Sequence, residues 1–186
     1  MVEQQNTTVD GRRIVTQRMG AAAEVHEFGT EEEARWRAAI INEALSWVGT
    51  PFRDCADIKG RNGGVDCAML MVRSYVDTGR LAPFDPRPYK PRHMLHSSEE
   101  KFLRWIEENL GGIRTTEPRV GDCVVWMFGR CFSHGGILIN SKECVHAYYV
   151  AGCTLLSRLE EPTLAKISLG PRDIDRPRLF FRVGER

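Results

Sequence analysis

The stretch Gly63-Gly64-Val65-Asp66-Cys67-Ala68-Met69-Leu70 joins a glycine pair to an apolar run. This pattern predicts a glycine-rich loop that enters an α-helix over about residues 65–78, which Gly79 ends. The amino end of a helix carries unpaired amides and a partial positive charge, which favour a thiolate and can hold a developing oxyanion. Cys67 is therefore the candidate nucleophile, and a buried structural cysteine is the alternative interpretation.

Candidate partners for Cys67 lie in the last third of the chain, where the pattern becomes strand-like. Segments rich in Val, Ile, Tyr and Trp, separated by Gly, Asn and Ser, predict strands over 123–128, 135–140, 144–150, 153–157 and 178–183. His134 stands at the start of the second of these strands and His146 lies within the third. We predict that Cys67 attacks, that His134 accepts and returns the proton, and that His146 orients the imidazole.

This assignment carries a geometric condition. His134 and His146 are both even-numbered, so on neighbouring antiparallel strands they share a face only if the register pairs residues of the same parity. That register requires a connecting loop with an odd number of residues, or a bulge. A plain two-residue turn with the rings on opposite faces would exclude His146 as the orienting residue.

Helical patterns precede the strands. Thr30-Glu31-Glu32-Glu33 predicts a capping box at the start of a first helix, and Gly49 and Pro51 end that helix. A third helix begins near Ser98. The apolar positions of the first helix are Ala34, Ala38, Ile41, Leu45 and Val48, and those of the third are Phe102, Leu103, Ile106 and Leu110. Helices followed by strands predict an α+β domain with helices packed on an antiparallel sheet of about five strands.

Composition narrows the class of protein. The 186 residues include 26 Lys and Arg against 25 Asp and Glu, a balance that argues against a protein built to wrap nucleic acid. No apolar run approaches the length of a membrane span, and the first residues lack the pattern of a signal peptide. We expect one domain over residues 30–186, preceded by a polar arm over 1–29 that is mobile or docked on a partner. Most of the six cysteines are expected to be buried apolar residues rather than disulfides.

Five motifs in a fixed order resemble the NlpC-type (NlpC/p60) cell-wall cysteine peptidases. The motifs are Trp47-Val48-Gly49-Thr50-Pro51-Phe52, Gly64-Val65-Asp66-Cys67, Arg119-Val120-Gly121-Asp122, Ser133-His134-Gly135-Gly136-Ile137 and Val145-His146-Ala147. The nucleophile comes before the histidine, whereas the circularly permuted acyltransferase relatives have the histidine first. The resemblance covers about residues 44–157 and is greatest to the version carried by tailed phages, because a long proline-bearing insertion spans about residues 80–118.

The resemblance implies a papain-like α+β fold and an endopeptidase that needs no cofactor. Its substrate would be peptidoglycan stem peptides, often at the bond between D-glutamate and the diamino acid. It also implies a phage tail-tip component, assembled in the host cytoplasm into the virion beside other tail-tip proteins. The residues expected to bind substrate are Asp66, Phe52, Arg53 and Ser133. Phe52 stands where the family commonly has Tyr, so we expect Arg53 or a backbone amide to replace that hydroxyl.

Two alternatives remain open at this stage. Cys131, His134, Cys144 and His146 offer two thiolates and two imidazoles, which could form a tetrahedral zinc site. A tail-tip adaptor could instead keep an inactive peptidase fold and use residues 1–29 and 164–169 as contact surfaces. For the active enzyme, a thiolate–imidazolium pair of Cys67 and His134 predicts a pH optimum near neutrality.

Overall fold

A computed structural model of the chain describes residues 30–90, 98–169 and 172–184, together with the backbone of three strands that precede them. The chain divides into two compact units, residues 1–39 and 40–186. In the first unit the three strands form an antiparallel sheet in the order β1-β2-β3. They are β1 (Gln4–Val9), β2 (Arg12–Arg18) and β3 (Ala23–Phe28). The sequence predicted no regular element here, and the proposed arm for a partner stays a prediction.

Helix α1 (Glu31–Ser46) begins with the predicted cap, because the Glu33 amide donates to Thr30 Oγ1 at 3.0 Å. The predicted apolar stripe is wrong in phase, since Leu45 and Val48 are 37% and 46% exposed. The stripe was counted from apolar residues alone, whereas the buried face includes Arg37, whose Nε–H donates to Glu33 Oε1 at 2.8 Å. The residues buried along this face are Arg37, Ile40, Ala44 and Trp47.

The second unit contains the other helices and strands. In chain order they are β4 (Asp57–Ile58), β5 (Gly64–Val65), α2 (Cys67–Val76), α3 (Lys101–Asn109), β6 (Ile113–Thr115), β7 (Cys123–Phe128), β8 (Cys131–Leu138), β9 (Glu143–Tyr148), β10 (Cys153–Arg158), α4 (Pro162–Ala165), β11 (Lys166–Leu169), β12 (Arg172–Asp175) and β13 (Arg178–Arg182). Of the predicted insertion, residues 80–90 are irregular, as their prolines require. No helix among the described residues is long and apolar enough to cross a membrane.

The central sheet has six strands in the order β10-β9-β8-β7-β13-β6, and every pairing in it is antiparallel. The expected α+β architecture is confirmed, but the expected count of about five strands is one too low. The additional strand, β6, has only three residues, and the first two of them are exposed. It therefore lacks the alternating apolar pattern by which a strand is predicted from sequence.

Helices α2 and α3 pack on the central sheet at a glycine. A Cβ added to Gly135 would lie 3.0 Å from the Met71 side chain of α2 and 3.2 Å from the Phe102 side chain of α3. The missing side chain therefore lets both helices approach β8 closely. Strand β8 carries a bulge opposite Trp126 and Met127, because the register changes between the pairs Trp126↔His134 and Met127↔Phe132.

Candidate active site

Cys67 is the first residue of α2, as the glycine-rich loop predicted. Asp66 caps the helix: its Oδ1 accepts the Met69 amide at 2.9 Å, and its backbone is extended. The preceding pair Gly64–Val65 forms β5 against β4, which fixes the loop immediately before the helix. The sequence thus positions a cysteine at a helix terminus through a capping carboxylate and a short strand.

The Asp66 carboxylate is engaged entirely within the protein. Its Oδ2 accepts the Cys55 amide at 2.7 Å and the Tyr89 hydroxyl at 2.6 Å. Burial raises the pKa of Asp66, while the hydrogen bonds from Met69, Tyr89 and Cys55 act in the opposite direction. Asp66 therefore supports the loop and helix around Cys67, and its predicted contact with substrate stays a prediction.

The Cys67 thiol is enclosed although the residue as a whole is only half-buried. Helix α2, which begins at Cys67, packs through Met71 on Gly135 of β8, the strand that carries His134. Burial, together with the charge of Asp66, raises the pKa of the thiol to about 12. Burial therefore opposes the thiolate that was expected in the resting site and outweighs the amides that favour the charged form.

The two histidines meet the geometric condition. Ile137 pairs with Val145 across β8 and β9, and the Ile139 amide donates to the Glu143 carbonyl, so the three residues 140–142 form the turn. This same-parity register puts both rings on one face of the sheet. His134 Nε2 lies 2.8 Å from His146 Nδ1, within hydrogen-bond distance. The pairing leaves Nδ1 of His134 as the ring nitrogen that His146 does not engage.

Burial keeps both imidazoles neutral at physiological pH. Burial, the neighbouring His146 and Arg176 hold the pKa of His134 well below 6.5, and burial lowers the pKa of His146 to about 4. For Nδ1 of His134 to accept the thiol proton, Nε2 of the same ring must carry a hydrogen and donate it to His146. His146 then carries its own hydrogen on Nε2, a buried atom with no hydrogen-bond partner among the described residues.

Aromatic rings enclose the histidine pair. Trp126 is fully buried, and its ring lies 5.8 Å from His134 and 6.2 Å from His146. Phe128 and Tyr148 lie 5.1 Å and 5.3 Å from the His134 ring. Sequence reasoning did not identify Phe128 and Tyr148 as site residues, although both lie on the strands that carry the histidines or their neighbours. The rings hold the imidazoles in a dry environment, which is the cause of their lowered pKa values.

An open groove of about 420 Å³ lies beside the loop that leads to Cys67. The Phe52 and Tyr149 rings, both in its lining, meet edge to face with centroids 5.7 Å apart. Arg53 is exposed, its amide donates to the Val65 carbonyl at 3.1 Å, and its aliphatic stem lies over Gly64, where a Cβ would be 2.5–2.7 Å away. The residues that line the groove are Phe52, Arg53, Asp54, Tyr149 and Gly152.

Ser133 is the bulge residue of β8, and its hydroxyl donates to the Phe128 carbonyl at 3.0 Å. This bond stabilises the turn between β7 and β8, next to the His134 ring. The expected contacts of Phe52, Arg53 and Ser133 with substrate remain predictions.

The predicted zinc set does not come together. Two nitrogens bound to one tetrahedral zinc lie about 3.3 Å apart, whereas the facing nitrogens of His134 and His146 are 2.8 Å apart and bonded to each other. Cys144 is buried in an apolar cluster with Leu138 and Leu159. The described residues contain no group of three or more His, Cys, Asp or Glu that could hold a metal ion. The zinc alternative is therefore wrong for these four residues.

Most of the six cysteines were expected to be buried and not to form disulfides. All six are free, and Cys123, Cys131 and Cys144 are buried. Cys55 and Cys153 are half-buried and depart from it.

The chain is similar to proteins of known structure. No family model and no curated protein matches the chain. The crystal structure of the NlpC/p60 domain of the peptidoglycan hydrolase SagA is 18% identical, covers 67% of this chain and 90% of its own, and has a TM-score of 0.46. A likeness of this size does not decide the activity, which has to be argued from the site itself.

Proposed function

We propose that the protein is a cysteine peptidase that hydrolyses amide bonds in the stem peptides of peptidoglycan. The observation that carries the proposal is the 2.8 Å contact between His134 on β8 and His146 on β9, where helix α2, which begins at Cys67, packs on β8. A cysteine at a helix terminus, a neutral imidazole and an orienting group are the parts that thiol catalysis requires. The order of the five sequence motifs supports peptidoglycan as the substrate.

The resting site dictates how the nucleophile is activated. Because the thiol pKa is raised to about 12 and the pKa of His134 is lowered, the two groups begin as a thiol and a neutral imidazole. His134 therefore acts as a general base: Nδ1 takes the thiol proton as the sulfur attacks the substrate carbonyl carbon. Its Nε2–H donates to His146 Nδ1 throughout, which fixes the tautomer and the ring plane.

The remaining steps return the site to its starting state. The tetrahedral oxyanion forms beside the free amides at the start of α2, whose dipole stabilises negative charge. The C–N bond breaks as the imidazolium of His134 protonates the leaving amine, and a thioester to Cys67 remains. His134 then takes a proton from water as the water oxygen attacks the thioester, which releases a carboxylic acid and regenerates the thiol.

We assign substrate binding to the groove formed by residues 52–54, 149 and 152. Its apolar wall is the Phe52–Tyr149 pair, and the exposed Arg53 supplies a positive charge. An extended peptide with free carboxylates, as in a stem peptide, suits that combination of an aromatic wall and a guanidinium.

The biological setting that we propose is a phage tail tip. The insertion of about residues 80–118 between the nucleophile helix and the first long strand supports it, because this length and proline content are typical of the tail-associated version. The protein would be assembled in the host cytoplasm with other tail-tip proteins and carried in the virion. A tail-tip adaptor without activity is the second candidate, with residues 1–29 as its expected contact segment.

The decisive experiment is digestion of purified peptidoglycan, with the released fragments identified by mass. We expect cleavage within stem peptides by the wild-type protein and none by Cys67→Ala. Cys123→Ala is the matched control, since that buried cysteine contacts the Tyr75 hydroxyl, which the proposed catalytic steps do not use. If wild type and both variants release nothing, the peptidase proposal is wrong for the isolated protein and the adaptor role is favoured.

A further inference from the structure

The irregular segment Asp85–Tyr89, here called the strap, is fastened to the loop beside the nucleophile. The Arg87 guanidinium donates to Asp57 Oδ1 at 3.0 Å and to Asp57 Oδ2 at 3.3 Å. It also donates to both carboxylate oxygens of Asp85, at 2.8 and 2.7 Å. Two forked ion pairs from one side chain fix the strap against β4 with defined geometry.

The strap also holds Cys55, which has a backbone conformation that non-glycine residues rarely adopt. Its φ is +56°, in the left-handed region. Each of its polar groups is bonded: the amide to Asp66 Oδ2 at 2.7 Å, the carbonyl to Arg87 at 3.1 Å, and the thiol to the Tyr89 carbonyl at 3.6 Å. A disfavoured conformation persists only where the surroundings over-determine it, and such positions cluster at functional sites.

The strap ends at a hydroxyl that reaches the residue before the nucleophile. Tyr89 donates to Asp66 Oδ2 at 2.6 Å, and this carboxylate is adjacent in sequence to Cys67. Asp66 is buried, and its negative charge raises the pKa of the Cys67 thiol. A hydrogen-bond donor on the Asp66 carboxylate reduces the negative charge that this carboxylate presents to the thiol. The Tyr89 hydroxyl therefore opposes the rise in the thiol pKa.

The other charged groups around this carboxylate do not replace Tyr89. Asp54 adds negative charge and raises the pKa of Asp66 further. Cys55 contributes a backbone amide and a thiol whose pKa is itself raised by burial and by Asp66. Arg87 is paired with its two carboxylates, and the neutral His134 lies on β8.

We propose that Tyr89 is a positioning residue of the active site, whose hydroxyl holds the Asp66 carboxylate and limits its charge at the Cys67 nucleophile. The strap is thus part of the catalytic apparatus rather than a surface connection. This inference rests on the proposed role of Cys67. It assigns to the proline-containing insertion a chemical task at the site.

The test is alkylation of Cys67 by iodoacetamide between pH 7 and 11, followed peptide by peptide by mass spectrometry so that the other cysteines do not interfere. Tyr89→Phe removes the hydroxyl and keeps the ring. The less compensated carboxylate should raise the thiol pKa by about half to one unit, which slows alkylation about three- to tenfold at each pH below that pKa. On peptidoglycan the same variant should lower kcat and leave KM unchanged.

Tyr75→Phe is the matched control. It removes another buried phenol hydroxyl, which bonds the Gly121 carbonyl at 2.8 Å, so it should lower the melting temperature without moving the alkylation profile. An unchanged profile in folded Tyr89→Phe would overturn the proposal, as would an equal shift in Tyr75→Phe. Alkylation needs no peptidoglycan, so this outcome is separate from failure of the proposed peptidase activity.

Discussion

Replacing His146 by asparagine tests the buried imidazole pair through its effect on stability. The folded protein lowers the pKa of His146 from 6.5 to about 4, because the ring is buried. The unfolded chain therefore binds a proton that the folded chain does not, and the free energy of unfolding falls as the pH drops below 6.5. The contribution is complete above pH 6.5 and is lost progressively toward pH 4.

The size of this effect follows from the two pKa values. A shift of 2.5 units corresponds to about 3.4 kcal/mol, of which about 2 kcal/mol is lost by pH 5. Asparagine does not titrate, and its side-chain oxygen can still accept the Nε2–H of His134. The acid destabilisation of the wild type between pH 7.5 and pH 5 should therefore exceed that of His146→Asn by about 2 kcal/mol.

Urea unfolding at pH 7.5, 6.5, 5.5 and 5.0 measures the difference. Carboxylates titrate in both proteins, so the difference between the two pH dependences reports the histidine pair, including the effect of His146 on the pKa of His134. Stability curves that stay parallel within about 0.5 kcal/mol, which is the additivity expected of independent sites, would refute the inference that a neutral buried imidazole occupies position 146.

Three further predictions concern activity. Gly136→Ala should reduce both the melting temperature and kcat. A Cβ at this position would lie 2.7 Å from the Val145 carbonyl oxygen and force β8 and β9 apart. A melting temperature and kcat equal to those of the wild type would contradict this packing. Arg53→Met should raise KM about tenfold, because the substrate loses one charge-assisted hydrogen bond. Arg61→Met, at another exposed arginine, should leave KM unchanged. An equal effect of the two substitutions would contradict specific binding in the groove. The rate of hydrolysis should stay level through pH 6.5 and fall only at lower pH, because the pKa of His134 is lowered. A half-maximal rate at pH 6.5 would contradict a buried, neutral His134 as the general base.

Local sequence signals predicted much of the site. The glycine pair before Asp66 and Cys67 identified the loop that enters α2, because those residue types have strong local preferences. The strand segments around His134 and His146 were identified by composition, and parity then gave a register condition that the structure meets. These features depend on residues within a few positions of one another.

Features that depend on tertiary packing were not predicted. Tyr89 is 23 residues from Asp66 and is joined to it through an irregular segment, so no periodicity links them. The protonation state of Cys67 was assigned from its helix terminus, whereas its burial is a property of the assembled site. The predicted apolar face of α1 does not coincide with its buried face. The cause is the buried Arg37, which is paired with Glu33 and was not counted because it is a polar residue.

The position of β13 in the central sheet has a consequence for synthesis. Arg178–Arg182 lies between β7 and β6, and it pairs Arg178 with Trp126, the residue directly across from His134. During translation the ribosome releases this strand after every other described strand and helix, so β7 has an unpaired edge until the strand arrives. A growing chain that already carries Cys67, His134 and His146 therefore lacks the strand that completes their support. If the protein has the proposed hydrolytic activity, that activity would begin only once β13 has paired with β7.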